Sequence, residues 1–266
     1  INPQVWKWYF EIIGKKKCPI IDTWWQTETG AAMISPLPGI ETIPLKPGSA
    51  TRPVPGVSIS IVDDGGKQVP PGSKGYLTVE NPWPGMLLTL WGDDEKYKTV
   101  YWSKYKNMYY AGDYAKMDSD GYIWMLGRAD DVLKVAGHRL GTAEIESGFV
   151  SHDTVAESAV CGIPHEVKGE AIIAFLVLKD GIVSTLQLKE DLIVHIRQTI
   201  GPVATPDQLF FVKKLPKTRS GKIMRRLLKA IAQDEKIGDV STLEDEASVD
   251  EVKSALDELH RTLGRS

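Results

Sequence analysis

The chain has 266 residues, 42% hydrophobic and 25% charged, the balance of a water-soluble globular protein and enough for two modest domains. A formal net charge of -3 argues against general affinity for nucleic acid, leaving only the basic stretch 213–229 to be judged separately. The longest apolar run, 171–178, is too short to cross a bilayer, and the two cysteines, Cys18 and Cys161, call for neither disulfide nor zinc, so a cytoplasmic location is expected.

Asn2 before Pro3 reads as the cap of a helix that continues through the apolar residues Trp6 to Ile13 into a core, and the absence of an initiator methionine suggests a piece of a longer protein. A buried strand is expected over 19–23, ending in the dense polar and aromatic segment 22–30. Alternating runs at 57–62 and 75–79, joined through Asp63-Asp64-Gly65-Gly66, predict a small β unit. Further short strands are expected at 108–110, 113–117 and 122–126, the last two joined by a turn at Asp120-Gly121.

After Arg128 the pattern changes. A strand at 132–135, a helix over 142–150, strands at 158–162 and 171–178, a helix over 186–200, a strand at 208–212 and a basic helix over 223–232 predict an α+β domain. An acidic linker then leads to an amphipathic helix carrying Val252, Leu256, Leu259 and Leu263 on one face, with Ser248 and Glu251 as a capping box. The expected division is 1–129, 130–240 and 241–266.

Four segments carry chemistry. In Asp22-Thr23-Trp24-Trp25-Gln26-Thr27-Glu28-Thr29-Gly30, hydroxyls, an amide and carboxylates stand beside two indoles. Around Tyr110-Ala111-Gly112-Asp113, one carboxylate follows a glycine, where a ligand can approach the backbone and vicinal hydroxyls can donate to the acid. The segment 127–141 places Arg128 and Arg139 about a domain border, and guanidinium forks suit phosphate oxygens. The segment 216–226 is a glycine-containing loop that ends in Lys222 and runs into a helix, without the spacing of a Walker loop. Taken singly, each also fits an ordinary turn, a domain border or a solvated basic helix; nucleic-acid binding by the last is disfavoured because no aromatics interleave with its charges.

Together and in this order, the four segments resemble the adenylate-forming enzyme superfamily, and DTWWQTETG, PWPGM and GHRLGTAEIES resemble its AMP-forming acetyl-CoA synthetases, over Ile1 to about Ala232. The resemblance implies a mixed α+β fold: the end of a large domain with a small β-barrel-like unit, then a small mobile α+β lid. It implies acetate activation by ATP to acetyl-AMP, then transfer to CoA. The alternatives are an acyl-CoA synthetase for propionate or another short acid, or a non-catalytic nucleotide-binding fragment.

By position, the resemblance implies that Asp22, Thr23, Trp24, Trp25, Gln26, Thr27, Asp113, Arg128 and Arg139 bind ATP or AMP, with Asp113 on the ribose hydroxyls. Trp25 closes the acyl pocket, Asp130 is the hinge, and Lys222 is the catalytic lysine and a target for a lysine acetyltransferase and deacetylase. Ala136, Gly137 and Arg197 contact CoA, although the family usually carries serine at the Ala136 position. Glu28 meets the Mg2+ that accompanies ATP, and Val150, His152 and Val155 form a second cation site. The family's phosphate-gripping loop is expected upstream of Ile1, so this chain alone is not expected to catalyse adenylation.

Overall fold

The computed structural model describes residues 1–238 and 240–262. Two compact units divide between Asp130 and Asp131. No helix among the described residues is long and apolar enough to cross a membrane.

The first unit opens with α1 (Pro3–Trp8), where the Asn2 side chain accepts from the Gln4 amide at 2.8 Å. The helix widens into a π-turn over Tyr9–Ile13. It does not enter a core as expected: within 3–13 only Trp6 is buried, and Trp8, Ile12 and Ile13 stay exposed. Nor is 19–23 a strand. Without a neighbouring strand to take its backbone groups it remains irregular, and pairing begins only at the isolated bridge Trp24–Ile34.

Strands β1 (Ile59–Val62), β2 (Lys74–Val79), β3 (Tyr109–Met117) and β4 (Ile123–Arg128) form an antiparallel sheet in that order. The sheet is open rather than barrel-like, because β4 carries only the isolated bridge Thr51–Ile123 on its far edge and no described strand joins it to β1. One face packs Ile59, Ile61, Leu77, Val79, Tyr109, Ala111 and Ala115 against Trp24, Met33, Ile34 and Trp83. Turn chemistry sets the β3–β4 hairpin: Asp118 Oδ1 accepts from the amides of Asp120 and Tyr122, and Gly121 takes φ 81°. Before the hairpin lies α2 (Asp94–Tyr101), capped by Asp93.

The second unit is one five-stranded sheet between two helical layers. β5 (Leu133–Val135) and β6 (His138–Leu140) form a hairpin, β7 (Val155–His165) pairs antiparallel with β8 (Gly169–Leu178), and β9 (Gln208–Phe211) lies parallel to β8. Period-two alternation sorts the strand residues. Val160, Ile172, Ala174, Leu176 and Leu209 face α3 (Thr142–Val150) and α4 (Leu186–Thr199), while Ala159, Cys161, Ile173, Phe175 and Phe210 face α5 (Arg225–Ala232) and α6 (Ala247–Thr262). Both faces of β8 are covered, which explains the unbroken apolar run at 171–178. Burial there pushes the Cys161 thiol up to about 12.

The capping box expected at Ser248 and Glu251 does not form. Asp245 Oδ1 accepts from the Ala247 amide at 3.0 Å, the Ser248 hydroxyl donates to the Asp245 carbonyl at 2.5 Å, and Glu251 accepts from the Lys213 amide at 3.1 Å. Val252 and Leu256 pack into the core as the apolar face requires; the Leu259 side chain and Leu263 lie outside the described residues.

Gly112 has φ 71° inside β3, and a Cβ placed there would stand 2.7 Å from Arg128 Nη2. Gly112→Ala is therefore expected to cost about 1–3 kcal/mol through backbone strain and displacement of the guanidinium. Urea denaturation checks this; an unchanged midpoint would contradict it.

Candidate functional site

In the first unit, β3 brings Asp113 to a point where it is 9% exposed, and β4 places Arg128 opposite it in register. Arg128 Nη1 lies 3.6 Å from Asp113 Oδ1, and its Nε lies 3.4 Å from Asp130 Oδ1. Half of the Arg128 side chain, 51%, remains in solvent, so the guanidinium can meet an anion without being unburied.

The segment 22–30 reaches the same carboxylate. Trp24 Nε1 donates to Asp113 Oδ2 at 3.0 Å and Gln26 Nε2 donates to the same oxygen at 2.9 Å. Gln26 is itself fixed, since Nε2 also donates to the Ala111 carbonyl at 2.7 Å and Oε1 accepts from Tyr109 at 3.0 Å. Oδ1 thus keeps acceptor capacity, because an ionised carboxylate offers about four lone-pair positions. Burial pushes the Asp113 carboxyl above the usual carboxylate range, and the nearby Arg128 charge with the Trp24 and Gln26 hydrogen bonds only partly offsets it.

Beyond Gln26 the chain makes a 3-10 turn, Thr27–Thr29, closed by Gly30 at φ 71°. The Thr29 hydroxyl receives the Gln26 amide at 2.9 Å. Thr27 is exposed, and Glu28 is half-buried with Oε1 accepting from Tyr101 at 2.7 Å. Tyr101, at the end of α2, stacks on Tyr109 with ring centroids 5.4 Å apart, and burial with the Glu28 hydrogen bond pushes its hydroxyl up to about 12. It stays a proton donor at neutral pH. Sequence patterning missed Tyr101 because α2 buries no residue and therefore has no apolar stripe to read.

Of the other predicted positions in this unit, Trp25 is 59% exposed, Thr23 is exposed and Asp22 is half-buried. Trp24, Gln26, Asp113 and Arg128 are brought together directly; Thr27 and Glu28 join them through the turn.

In the second unit, Ala136 and Gly137 form the two-residue turn of the β5–β6 hairpin with φ 49° and 81°. Positive φ at both positions is what such a tight hairpin demands, and Ala136 bears it against its preference. Arg139 lies on β6 and Arg197 is exposed in the last turn of α4. Lys222 is exposed on a tight turn, in which the Thr218 amide donates to the Lys222 carbonyl at 2.8 Å and the Lys222 amide donates to Thr218 Oγ1 at 3.1 Å.

Val150, His152 and Val155 lie at the junction of α3 and β7, where His152 Nδ1 is 2.8 Å from Thr154 Oγ1. Among the described residues no group of three or more His, Cys, Asp or Glu side chains could hold a metal. Glu28 offers a single carboxylate, with Oε1 already accepting from Tyr101.

The raised pKa of Asp113 fixes the sign of a pH effect. A carboxyl raised on folding contributes stability below its ordinary pKa of about 4 and loses it as pH rises through the folded value. Asp113→Asn is therefore expected to raise the thermal midpoint at pH 7 and to lose that advantage below about pH 4. Calorimetry at both pH values checks this; a variant less stable at pH 7 would mean that hydrogen bonding outweighs burial.

A family model described as AMP-binding enzyme matches residues 1–90, and one described as AMP-binding enzyme C-terminal domain matches residues 144–222. Lys222 is the last residue of the second match, and Asp113, Arg128 and Arg139 lie between the two. An acetyl-coenzyme A synthetase of Pyrobaculum arsenaticum is 57% identical over 259 residues, covering 97% of this chain and 39% of the relative. One from Chlorobaculum tepidum is 52% identical, again covering 97% and 39%. Among solved structures, the anthranilate CoA ligase AuaEII in complex with anthranoyl-AMP matches with a TM-score of 0.76 at 32% identity, covering 88% of this chain and 43% of that one. The chain thus spans well under half the length of the relatives it matches, and it belongs to the AMP-binding, adenylate-forming enzymes.

Proposed function

We propose that the protein containing this chain activates acetate with ATP and transfers the acetyl group to CoA. The observation that carries the reading is the buried Asp113 carboxylate, held by Trp24 and Gln26 with Arg128 beside it, in a chain 57% identical to an acetyl-coenzyme A synthetase.

In the first step an acetate oxygen attacks the α-phosphorus of ATP and the bond to pyrophosphate breaks, giving acetyl-AMP. Asp113 accepts from the ribose hydroxyls through the capacity left on Oδ1, and Arg128 and Arg139 offset phosphate charge. Thr27 contacts the α-phosphate, with Asp22, Thr23, Trp24 and Gln26 shaping the nucleotide's surroundings. Lys222 brings a positive charge to the α-phosphate and the carboxylate, where negative charge concentrates as the bond forms. Mg2+ that arrives with ATP neutralises phosphate charge, and Glu28 is the side chain that would hold it.

In the second step the CoA sulfur attacks the acetyl carbonyl and AMP leaves. The Ala136-Gly137 turn borders the pantetheine arm and Arg197 meets a CoA phosphate, after a rotation at Asp130 that exchanges the lysine for this surface. Val150, His152 and Val155 are a candidate site for a further cation, the imidazole and two carbonyls serving as ligands. Acetylation of Lys222 by a lysine acetyltransferase would remove the charge and stop the first step until a deacetylase restored it. A cytoplasmic location, where ATP and CoA are both at hand, goes with this reading.

Trp25 supports the choice of acid. Its exposed indole is a large flat wall, suited to ending an acyl pocket after two or three carbons. In the full-length enzyme, acetate is expected to release pyrophosphate at least 10-fold faster than butyrate at equal concentration, since a misfit methylene costs about 1–3 kcal/mol. Equal rates would overturn the role of Trp25, and no release with either acid would overturn the function. Lys222→Ala is expected to lower acetyl-AMP formation by at least 10²-fold while leaving thioester formation from supplied acetyl-AMP nearly unchanged. Equal loss in the two half-reactions would remove Lys222 from its assigned role.

A further inference from the structure

Arginine at the first position of a helix stands against the macrodipole, whose positive end lies there. α5 nevertheless begins with Arg225 and Arg226, has no acidic residue in its first turn, and has no side-chain cap. A residue from another helix accounts for Arg225.

Glu146, on α3, is 8% exposed. Its Oε1 accepts from Arg225 Nε at 2.8 Å and its Oε2 accepts from Arg225 Nη2 at 2.6 Å, a two-pronged fork. The same Oε1 accepts from the Val160 amide on β7 at 2.9 Å. One buried carboxylate therefore ties α3, β7 and the first residue of α5 together. Burial opposes the Arg225 charge, and the hydrogen bond and charge of Glu146 more than offset it, so the guanidinium pKa is raised.

Arg225 follows Lys222 by three residues, and the chain between them has little slack. Lys217 and Ile223 form a bridge, the Met224 amide donates to the Pro216 carbonyl at 2.9 Å, and the Gly221 amide donates to the Thr218 carbonyl at 2.7 Å. The Lys222 side chain is exposed, whereas the base of its turn is fixed at the Arg225 end by the fork.

We propose that Glu146 and Arg225 are positioning residues for Lys222, setting where the ammonium stands for the adenylation step; this rests on the role proposed above for Lys222. Stability alone is a weak reason for such a pair. A buried ion pair can be exchanged for apolar residues at little or no cost, because desolvation consumes most of its attraction. α5 also has a hold of its own through buried Leu227 and Leu228. What a planar fork contributes beyond this is direction, and a displacement of about 1 Å in a charge that acts on a transition state can cost 10²-fold in rate.

The test uses the full-length enzyme with Glu146→Gln, which keeps size and an acceptor for Val160 but removes the charged fork. Acetate-dependent ATP–pyrophosphate exchange is expected to fall by roughly 10²-fold, with thioester formation from supplied acetyl-AMP and CoA nearly unchanged. Arg225→Lys, which keeps the charge but not the planar fork, is expected to give the same split and serves alone if Glu146→Gln does not fold. Equal loss in both half-reactions would show a merely structural pair, and unchanged exchange would show that Lys222 is placed without it; either result overturns the proposal. Lys222→Ala run alongside separates the two readings: if that variant keeps full exchange, the role of the lysine fails rather than the clamp.

Discussion

The first unit depends on how a single buried carboxylate is accommodated. Asp113 sits where burial disfavours its charge; an indole and an amide of one segment donate to it, and a guanidinium from β4 stands beside it. Its hydrogen bonds from Trp24 and Gln26 fix the register of a segment that apolar packing already holds against the sheet. Gln26 extends the constraint, because the amide that serves Asp113 is itself oriented by Tyr109 and Ala111. Binding capacity and strain reside in the same atoms: the oxygen facing Arg128 is less fully occupied than the one facing Trp24 and Gln26, so the carboxylate is both a structural member and an acceptor with room for a ligand.

The second unit treats polarity differently. Its sheet is covered on both faces by side chains sorted through simple alternation, and the exposed Lys222 lies on a turn at its margin. Lys222, Ala136 and Gly137 all lie on such turns, and each turn is closed by backbone hydrogen bonds or bridges rather than by packing. The rigid sheet supplies position, and the turns supply exposure.

Patterning in the sequence reads the parts of this fold that bury surface in a regular way. Thr142–Val150 appears as a helix with the boundaries expected, and the run 171–178 appears as a strand, because both have strong periodic or continuous burial. The same reasoning fails where burial is slight: α2 has no buried residue, β6 has only three residues, and 19–23 has apolar residues but no partner strand. At Ser248 the motif was present, but Asp245 lay three residues upstream and took the cap. Within the site, the motif residues were legible through their joint occurrence. Their supports were not, because Tyr101 lies 73 residues from Glu28 and Arg225 lies 79 from Glu146, and nothing local in either segment names such a partner.

The parallel strand β9 has a kinetic consequence. β7 and β8 are joined by a tight turn, so their pairing closes a small loop, whereas β9 can pair with β8 only after α4 has carried the chain across the sheet. Loop-closure entropy makes the hairpin the early event and the crossover the late one. The lysine turn comes after β9 in the chain, so it is laid down on a sheet already assembled. In a nascent chain the turn that carries Lys222 would therefore settle after the β7–β8 hairpin, with α5 and α6 still to follow it onto the sheet.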